Sequence, residues 1–342
     1  MFKYSLFIFL SLTIFSCSNN YKKAKAYYTK ADHTDSIGNH EKAIKYLDTA
    51  IMLNPMDTFY CSRAQEKEKI KDYTGAINDY TAAIKIQPDF AIAYNNMGWV
   101  KERINDYKGA MDDYTKALEL NSSFAMSYNN RGLVKEHFSD YKGAMNDYNK
   151  ALQIDPTLLL AYNNRGMLKI LIKDIKGAIL DFNKAIELDC TFKISYYNRG
   201  DAKSDTQDYI GAISDYTKAI NLDSNFQSAY NNRGIAKRYL KDYEGAIKDY
   251  NKAIKLDSTS SDSYLNLGVA KDYIKDYPGA LSDISFAIQL NPNSASAYFN
   301  RAGVKIDLKD IEGAGKDFSK AKELGYPVPE RLVKKYCGSK TL

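Results

Sequence analysis

AIAYNNMGWVKERINDYKGAMDDYTKALELNSSF, residues 91–124, is the stretch on which the fold turns. Ala91, Tyr94 and Gly98 recur at the three-and-four spacing of one helix face. Asn105-Asp106 then breaks the run, and the Asp106 carboxylate is placed to cap the free backbone N–H groups of a following helix. Tyr107, Ala110, Tyr114, Ala117 and Leu118 supply a second apolar stripe. Asn121-Ser122-Ser123 closes the segment. Pro88, Pro156 and Pro292 occupy the same turn elsewhere, where proline stops a helix. The stretch reads as two short antiparallel helices.

Moving outward, the pattern returns every 34 residues. Tyr60, Tyr94, Tyr128, Tyr162, Tyr196, Tyr230, Tyr264 and Tyr298 form one column. Gly98, Gly132, Gly166, Gly200, Gly234 and Gly268 form a second, with Ala64 and Ala302 at its ends. Ala76 to Ala314 and Ala83 to Ala321 form two more at the same interval. The small residues let two backbones approach, and Tyr94 and Tyr114 fill the space between neighbouring units. One hairpin cannot enclose a core, whereas a stack of them can.

These columns resemble the tetratricopeptide repeat, with Tyr where that family usually has Trp. The resemblance implies an all-α fold, a right-handed superhelical α-solenoid of antiparallel helix pairs. Nine repeats are expected over 24–328: 24–56, 57–90, 91–124, 125–158, 159–192, 193–226, 227–260, 261–294 and 295–328. The first has a junction one residue short. Residues 329–342 are expected to form a closing helix and tail.

In this family the first helices line the concave side and make most ligand contacts. Asn96, Asn130, Asn164, Asn198, Asn232, Asn266 and Asn300 would stand there in an unbroken column. It resembles the asparagine ladder of the tetratricopeptide superhelix in the protein O-GlcNAc transferase, which holds an extended peptide backbone. An amide offers one acceptor and two donors and so can match a peptide C=O and N–H together. A structural role for the same Asn residues is the alternative. Around them Ile92, Trp99, Met126, Leu133, Leu160, Met167 and Ile170 are apolar. Asp201, Ser204, Asp205, Ser228, Arg238, Asp262 and Asp272 follow further along. Such a groove suits a segment of a protein or peptide partner, with Trp99 as an anchor. Packing against the adjacent helix is the other reading of these side chains.

Arg131, Arg165, Arg199, Arg233 and Arg301 form a further column, with lysines from Lys67 to Lys305 four residues along. The aspartates Asp79 to Asp317 repeat on the second helices. The acidic column favours pairing inside the stack over a phosphate track, so nucleic acid is not the expected partner. Gly75 to Gly313 recur early in every second helix, where Gly costs up to about 1 kcal/mol against Ala. Either close approach of the next unit or repeated duplication would account for them.

The chain starts with Lys3 and an apolar run from Leu6 to Phe15, the length of a signal-peptide core and too short to span a bilayer. Ile14-Phe15-Ser16-Cys17 resembles the lipobox of bacterial lipoproteins, although Phe15 is bulkier than usual. That resemblance implies a signal peptide over 1–16 and acylation of Cys17, with 17–23 as a tether. The protein would then sit in the bacterial cell envelope, held to a membrane by the lipid, with Ser18 favouring the outer one. A cleaved, secreted, unlipidated adaptor is the alternative.

The composition excludes more than it suggests. Lys and Arg number 48 against 42 Asp and Glu, interleaved, so the charge of +6 does not call for a polyanion. Three His leave little material for general-base or metal work. Cys61, Cys190 and Cys337 lie far apart with no CxxC pair, so neither a disulfide framework nor a zinc site is expected. There is no Gly-rich phosphate loop, HExxH or GxSxG. No cofactor, metal or catalytic residue is therefore expected. The reading is a membrane-anchored scaffold for protein–protein interaction, with envelope assembly or secretion as the family analogy.

Overall fold

The structure is a computed structural model describing residues 2–336, with side chains from 19 to 336. The side chain of Cys17 and all of Cys337 lie outside the described part. The described residues form nineteen α-helices and no strand. The first helices of the hairpins are α1 (Phe2–Ser36), α3 (Asp57–Lys69), α5 (Ala91–Arg103), α7 (Ala125–His137), α9 (Leu159–Leu171), α11 (Lys193–Asp205), α13 (Gln227–Tyr239), α15 (Ser261–Tyr273) and α17 (Ala295–Asp307). Their partners are α2 (His40–Leu53), α4 (Tyr73–Ile86), α6 (Tyr107–Leu120), α8 (Tyr141–Ile154), α10 (Ile175–Leu188), α12 (Tyr209–Leu222), α14 (Tyr243–Leu256), α16 (Tyr277–Leu290) and α18 (Ile311–Glu323), and a short α19 (Glu330–Tyr336) follows. The fold is an all-α repeat solenoid. It divides into two compact units at Leu168–Lys169, inside α9.

Every hairpin after the first is closed by the same chemistry, while the first uses Gly38 and an Asn39 cap. The first helix ends on a residue with positive φ, such as Asn105 at 62° or Ser139 at 60°. That left-handed residue reverses the chain and delivers an aspartate to the N-cap of the second helix. Asp106 Oδ1 accepts from the Gly109 N–H at 2.9 Å, and Asp140 accepts from Gly143 at the same distance. The early glycine column is explained here. A Cβ on Gly109 would lie 2.3 Å from the Asp106 carboxylate, so the glycine makes room for the cap rather than for the next unit.

The second glycine column has a different cause. A Cβ on Gly132 would meet the Tyr148 ring at 2.7 Å, and one on Gly200 would meet Tyr216 at 2.7 Å. Tyr80, Tyr114, Tyr148, Tyr216 and Tyr250 are completely buried or nearly so. These rings therefore lie inside their own hairpins, over a glycine, as well as against the next first helix, where Val134 packs with Tyr114. That refines the expectation that Tyr114 only fills space between units. The apolar core is a string of such clusters, one per junction.

Within each unit, each second helix packs on its own partner and on the following first helix. Successive first helices also touch each other, as α5 with α7 and α13 with α15, while second helices do not touch to that extent. First helices thus occupy the inner side of each stack. At the far end Val328, Leu332 and Tyr336 cover Ala302, Ala314 and Phe318. At the near end α1 runs unbroken through residues 17–23. No helix among the described residues is long and apolar enough to cross a membrane.

Candidate functional site: the first-helix face

Beneath the face lies a rigid ionic frame. Arg131 grips Asp147 with two parallel bonds of 2.9 Å, and Lys135 reaches the same carboxylate at 2.7 Å. Arg199, Lys203 and Asp215 repeat this arrangement, as do Arg233, Lys237 and Asp249, and Arg301, Lys305 and Asp317. Arg63, two repeats before Arg131 in the same column, does the same for Asp79 with Lys67. Two parallel charge-assisted bonds fix orientation as well as supply attraction. Where the column holds Met97 instead, Asp113 has Lys101 at 2.6 Å. There burial is the largest influence and raises the Asp113 carboxyl above its ordinary range. The lysines are thereby tied to carboxylates, and the frame is not a phosphate track.

The asparagines prove to be engaged with one another. Asn164 donates to Asn129 Oδ1 at 3.0 Å, Asn129 to Asn130 at 3.1 Å, Asn130 to Asn95 at 3.4 Å and Asn95 to Asn96 at 3.1 Å. This relay runs through three repeats of the first unit. In the second unit Asn266 donates to Asn231, Asn231 to Asn232, and Asn232 to the Tyr197 hydroxyl and Asp201. Asn300 turns back to the Ser296 carbonyl. Asn130 and Asn198 are buried, and Asn96, Asn164, Asn232, Asn266 and Asn300 are half-buried. An open wall of free amides is therefore not what the column presents. A close-packed interior makes a lone amide costly, so each satisfies its neighbour. Some amides are filled, since Asn95 Oδ1 accepts from both Ser127 and Asn130 and the Asn232 amide donates twice, whereas an amide that donates once, such as Asn164, keeps a second N–H.

The apolar positions divide. Ile92 on α5, Leu133 on α7, and Leu160 and Met167 on α9 are exposed, at 49, 39, 41 and 45 %. Met126 is half-buried. Trp99 packs against the cluster of Met97 and Val100, with the Arg103 guanidinium 4.6 Å above its ring. Met167 and Leu133 thus present apolar surface to solvent, whereas Trp99 is half-buried against that cluster. Along the second unit Asp205, Ser228 and Asp262 are exposed. Asp201 instead receives the Tyr216 hydroxyl at 2.6 Å, and burial holds its carboxyl above the usual range.

Another column was not anticipated from sequence. The Tyr80, Tyr114 and Tyr148 hydroxyls donate to Glu68, Glu102 and Glu136 on their own first helices. Burial raises all three glutamates above the ordinary carboxylate value, with the tyrosine bond opposing it. Where Phe182 and Phe318 replace tyrosine, Ile170 and Ile306 replace the acid. At these two positions the polar pair is replaced by an apolar one, whereas Ile284 faces a retained acid, Asp272.

One cluster of potential metal ligands stands out among the described residues: Asp35, His40 and Glu66. His40 Nδ1 lies 3.2 Å from Asp35 Oδ1 and 3.0 Å from Glu66 Oε2. Lys69 Nζ is 2.5 Å from Asp35 and 2.8 Å from Glu66, and it holds the Asp35 carboxyl below its usual range. His40 belongs to no repeat column, so the sequence does not single it out. Glu66 gave a signal that could have been read. Its column is otherwise Val100, Val134, Leu168, Ala202, Ala236, Ala270 and Val304, all fully buried apolar residues or nearly so. His137, by contrast, stacks on Tyr107 at 3.6 Å. Cys61 is buried, which pushes its thiol up to about 12 and makes it a poor nucleophile.

Known proteins agree with this architecture. Tetratricopeptide-repeat family models match residues 91–124 and 228–260 in one case, and 34–56, 125–158, 159–189 and 194–226 in another. A third, described as a TPR repeat, matches 69–104. No curated protein matches the chain. Among solved structures it is similar to PilF of Pseudomonas aeruginosa at 21% identity and a TM-score of 0.57, covering 62% of this chain and 97% of that one. A tetratricopeptide repeat protein from Parabacteroides merdae is 19% identical with a TM-score of 0.53, over 74% of this chain and 97% of that one. The APC/C Cut9–Hcn1 structure is 16% identical with a TM-score of 0.59, over 78% and 53%. These likenesses concern the fold. With helical hairpins recurring every 34 residues and repeat models matching most of residues 34–260, the chain belongs to the tetratricopeptide-repeat family.

Proposed function

We propose that the protein is a non-catalytic scaffold that holds a segment of another protein against the first helices of its first unit. The observation that carries this reading is the exposure of Ile92, Leu133, Leu160 and Met167 on the successive first helices α5, α7 and α9. Single exposed apolar side chains are ordinary, but several on one rigid face mark a docking surface. The Arg–Lys–Asp frame and the amide relay keep that face fixed before a partner arrives, which reduces the ordering cost of binding. The remaining amide capacity of Asn96 and Asn164 can align a partner backbone once the apolar groups are covered.

The same reading includes anchorage. Cys17 is acylated and places the scaffold on an envelope membrane, in support of assembly or secretion. The support is the Ile14-Phe15-Ser16-Cys17 sequence alone. Palmitate labelling of the wild type, abolished in Cys17→Ser, is the expected result, and equal labelling of both removes the anchor. For the scaffold, crosslinked capture from the native cell is compared between wild type and Leu133→Glu/Met167→Glu. Loss of the captured protein in the variant, with the helical signal retained, is the expected outcome. Unchanged capture would contradict the assignment of the face.

A further inference from the structure

The Asp35, His40 and Glu66 cluster lies where the repeat pattern is broken three times. Glu66 occupies a position that is apolar in all seven following hairpins, yet it is only 5 % exposed. A carboxylate buried there gains nothing for packing and carries a desolvation cost that an alanine or valine avoids. His40 begins its helix where all the other second helices begin with Tyr or Ile. A third difference frees Asp35. In the tyrosine hairpins a hydroxyl satisfies the equivalent acid, as Tyr80 does for Glu68. In the first hairpin the matching residue is Leu47, which has no hydroxyl to give. Three departures from one pattern meet at one point in space.

The geometry suits a small cation. A tetrahedral ion with bonds of about 2.0–2.1 Å separates its ligand atoms by about 3.3 Å. His40 Nδ1 stands 3.2 and 3.0 Å from the two carboxylate oxygens. The Lys69 ammonium bridges the same two acids, so a positive charge already occupies the neighbourhood. Its side chain is 40 % exposed and can swing outward. An adjoining pocket of about 350 Å³, lined by Asp32, Gln65 and Glu68 among others, provides an entry path and room for water.

We propose that Asp35, His40 and Glu66 form a binding site for a divalent first-row transition cation, which displaces the Lys69 ammonium. One imidazole and two carboxylates suit Zn²⁺, Co²⁺ or Mn²⁺, with water completing the shell. The ligands come from the end of α1, the start of α2 and the middle of α3. The ion therefore ties the first hairpin to the second, at the end of the stack nearest the amino terminus.

The test uses the full chain without a histidine tag, stripped by chelator and titrated with Co²⁺ followed by visible absorption, then with Zn²⁺ by calorimetry. One equivalent of each should bind. His40→Gln and Glu66→Val should each weaken binding by at least about tenfold. Glu66→Val installs the residue found at this column in three other hairpins, so it should fold and keep its helical signal. Lys69→Gln should bind the metals more tightly than wild type. His137→Gln and Cys190→Ser should leave binding unchanged. Absence of binding in both wild type and Lys69→Gln would overturn the proposal, as would equal binding by wild type, His40→Gln and Glu66→Val.

Discussion

The two units share a frame and differ in what they hang on it. In each, Arg and Lys clamp a buried aspartate, an aspartate caps the second helix, and a tyrosine lies over a glycine. The outward positions then diverge. The first unit exposes Ile92, Leu133, Leu160 and Met167, whereas the second exposes Asp205, Ser228 and Asp262. Even the buried tyrosines change partner, from Glu102 and Glu136 in the first unit to Asp201 for Tyr216 in the second. The lesson is that repetition specifies packing, while departures from it carry what is particular to this protein.

The largest expected effects test whether the frame is common to both units. Asp147→Ala and Asp215→Ala each leave a half-buried guanidinium without its carboxylate, so each should lose up to about 3–5 kcal/mol in chemical denaturation. A marked inequality would mean that the units are not built alike. Next comes Gly132→Ala, which drives a methyl into the immobile Tyr148 ring and should cost about 1–3 kcal/mol. Gly200→Ala against Tyr216 should match it. Gly143→Ala only rotates the exposed Asp140 cap away. Losing a cap costs about 1 kcal/mol and replacing a helical glycine returns a similar amount, so its net effect should be near zero.

The tyrosine–acid pairs give the finest comparison. Tyr114→Phe strands Glu102 and should cost about 1–3 kcal/mol, while Glu102→Ile/Tyr114→Phe should recover most of it. The double variant copies Ile170 and Phe182 of the hairpin α9–α10. Burial raises the folded-state value of Glu102, so its neutral form is the one the fold favours. Its contribution to stability is complete below the unfolded glutamate value and is lost as pH rises through the raised folded value. Glu102→Gln should therefore equal the wild type in acid and overtake it as pH climbs above about 4.3. Asp201→Asn should follow the same course in the second unit, because Asp201 is raised for the same reason. Thermal melts across pH check both, and a gap that grows on acidification would contradict them.

Much of this was legible in the residues. A 34-residue period with small residues at fixed places allows little besides stacked hairpins, and the Asp106 cap and Arg–Asp pairing follow from spacing. The glycine columns were visible, but their causes were not. Whether a missing Cβ makes room for a carboxylate or a ring depends on which side of the helix it lies. The asparagine column looks like a wall facing a ligand because a sequence shows a side chain's row and not its hydrogen bonds. Asn95 and Asn129, one residue earlier, turn that row inward. Glu66 was readable as a break in an apolar column. His40 was harder to place, because the short first junction moves it out of the 34-residue register.

The proposed docking surface is the inner apolar face of the first unit. Site-specific photocrosslinkers placed in turn at Leu133, at Asp262 and at Leu180 test it most directly in the native cell. Leu180 lies on second helix α10 and is 68 % exposed, so it controls for apolar character alone. A single discrete adduct from position 133, weaker or absent from 262 and absent from 180, is the predicted result. The same adduct at equal yield from 180, or none from 133, would contradict it.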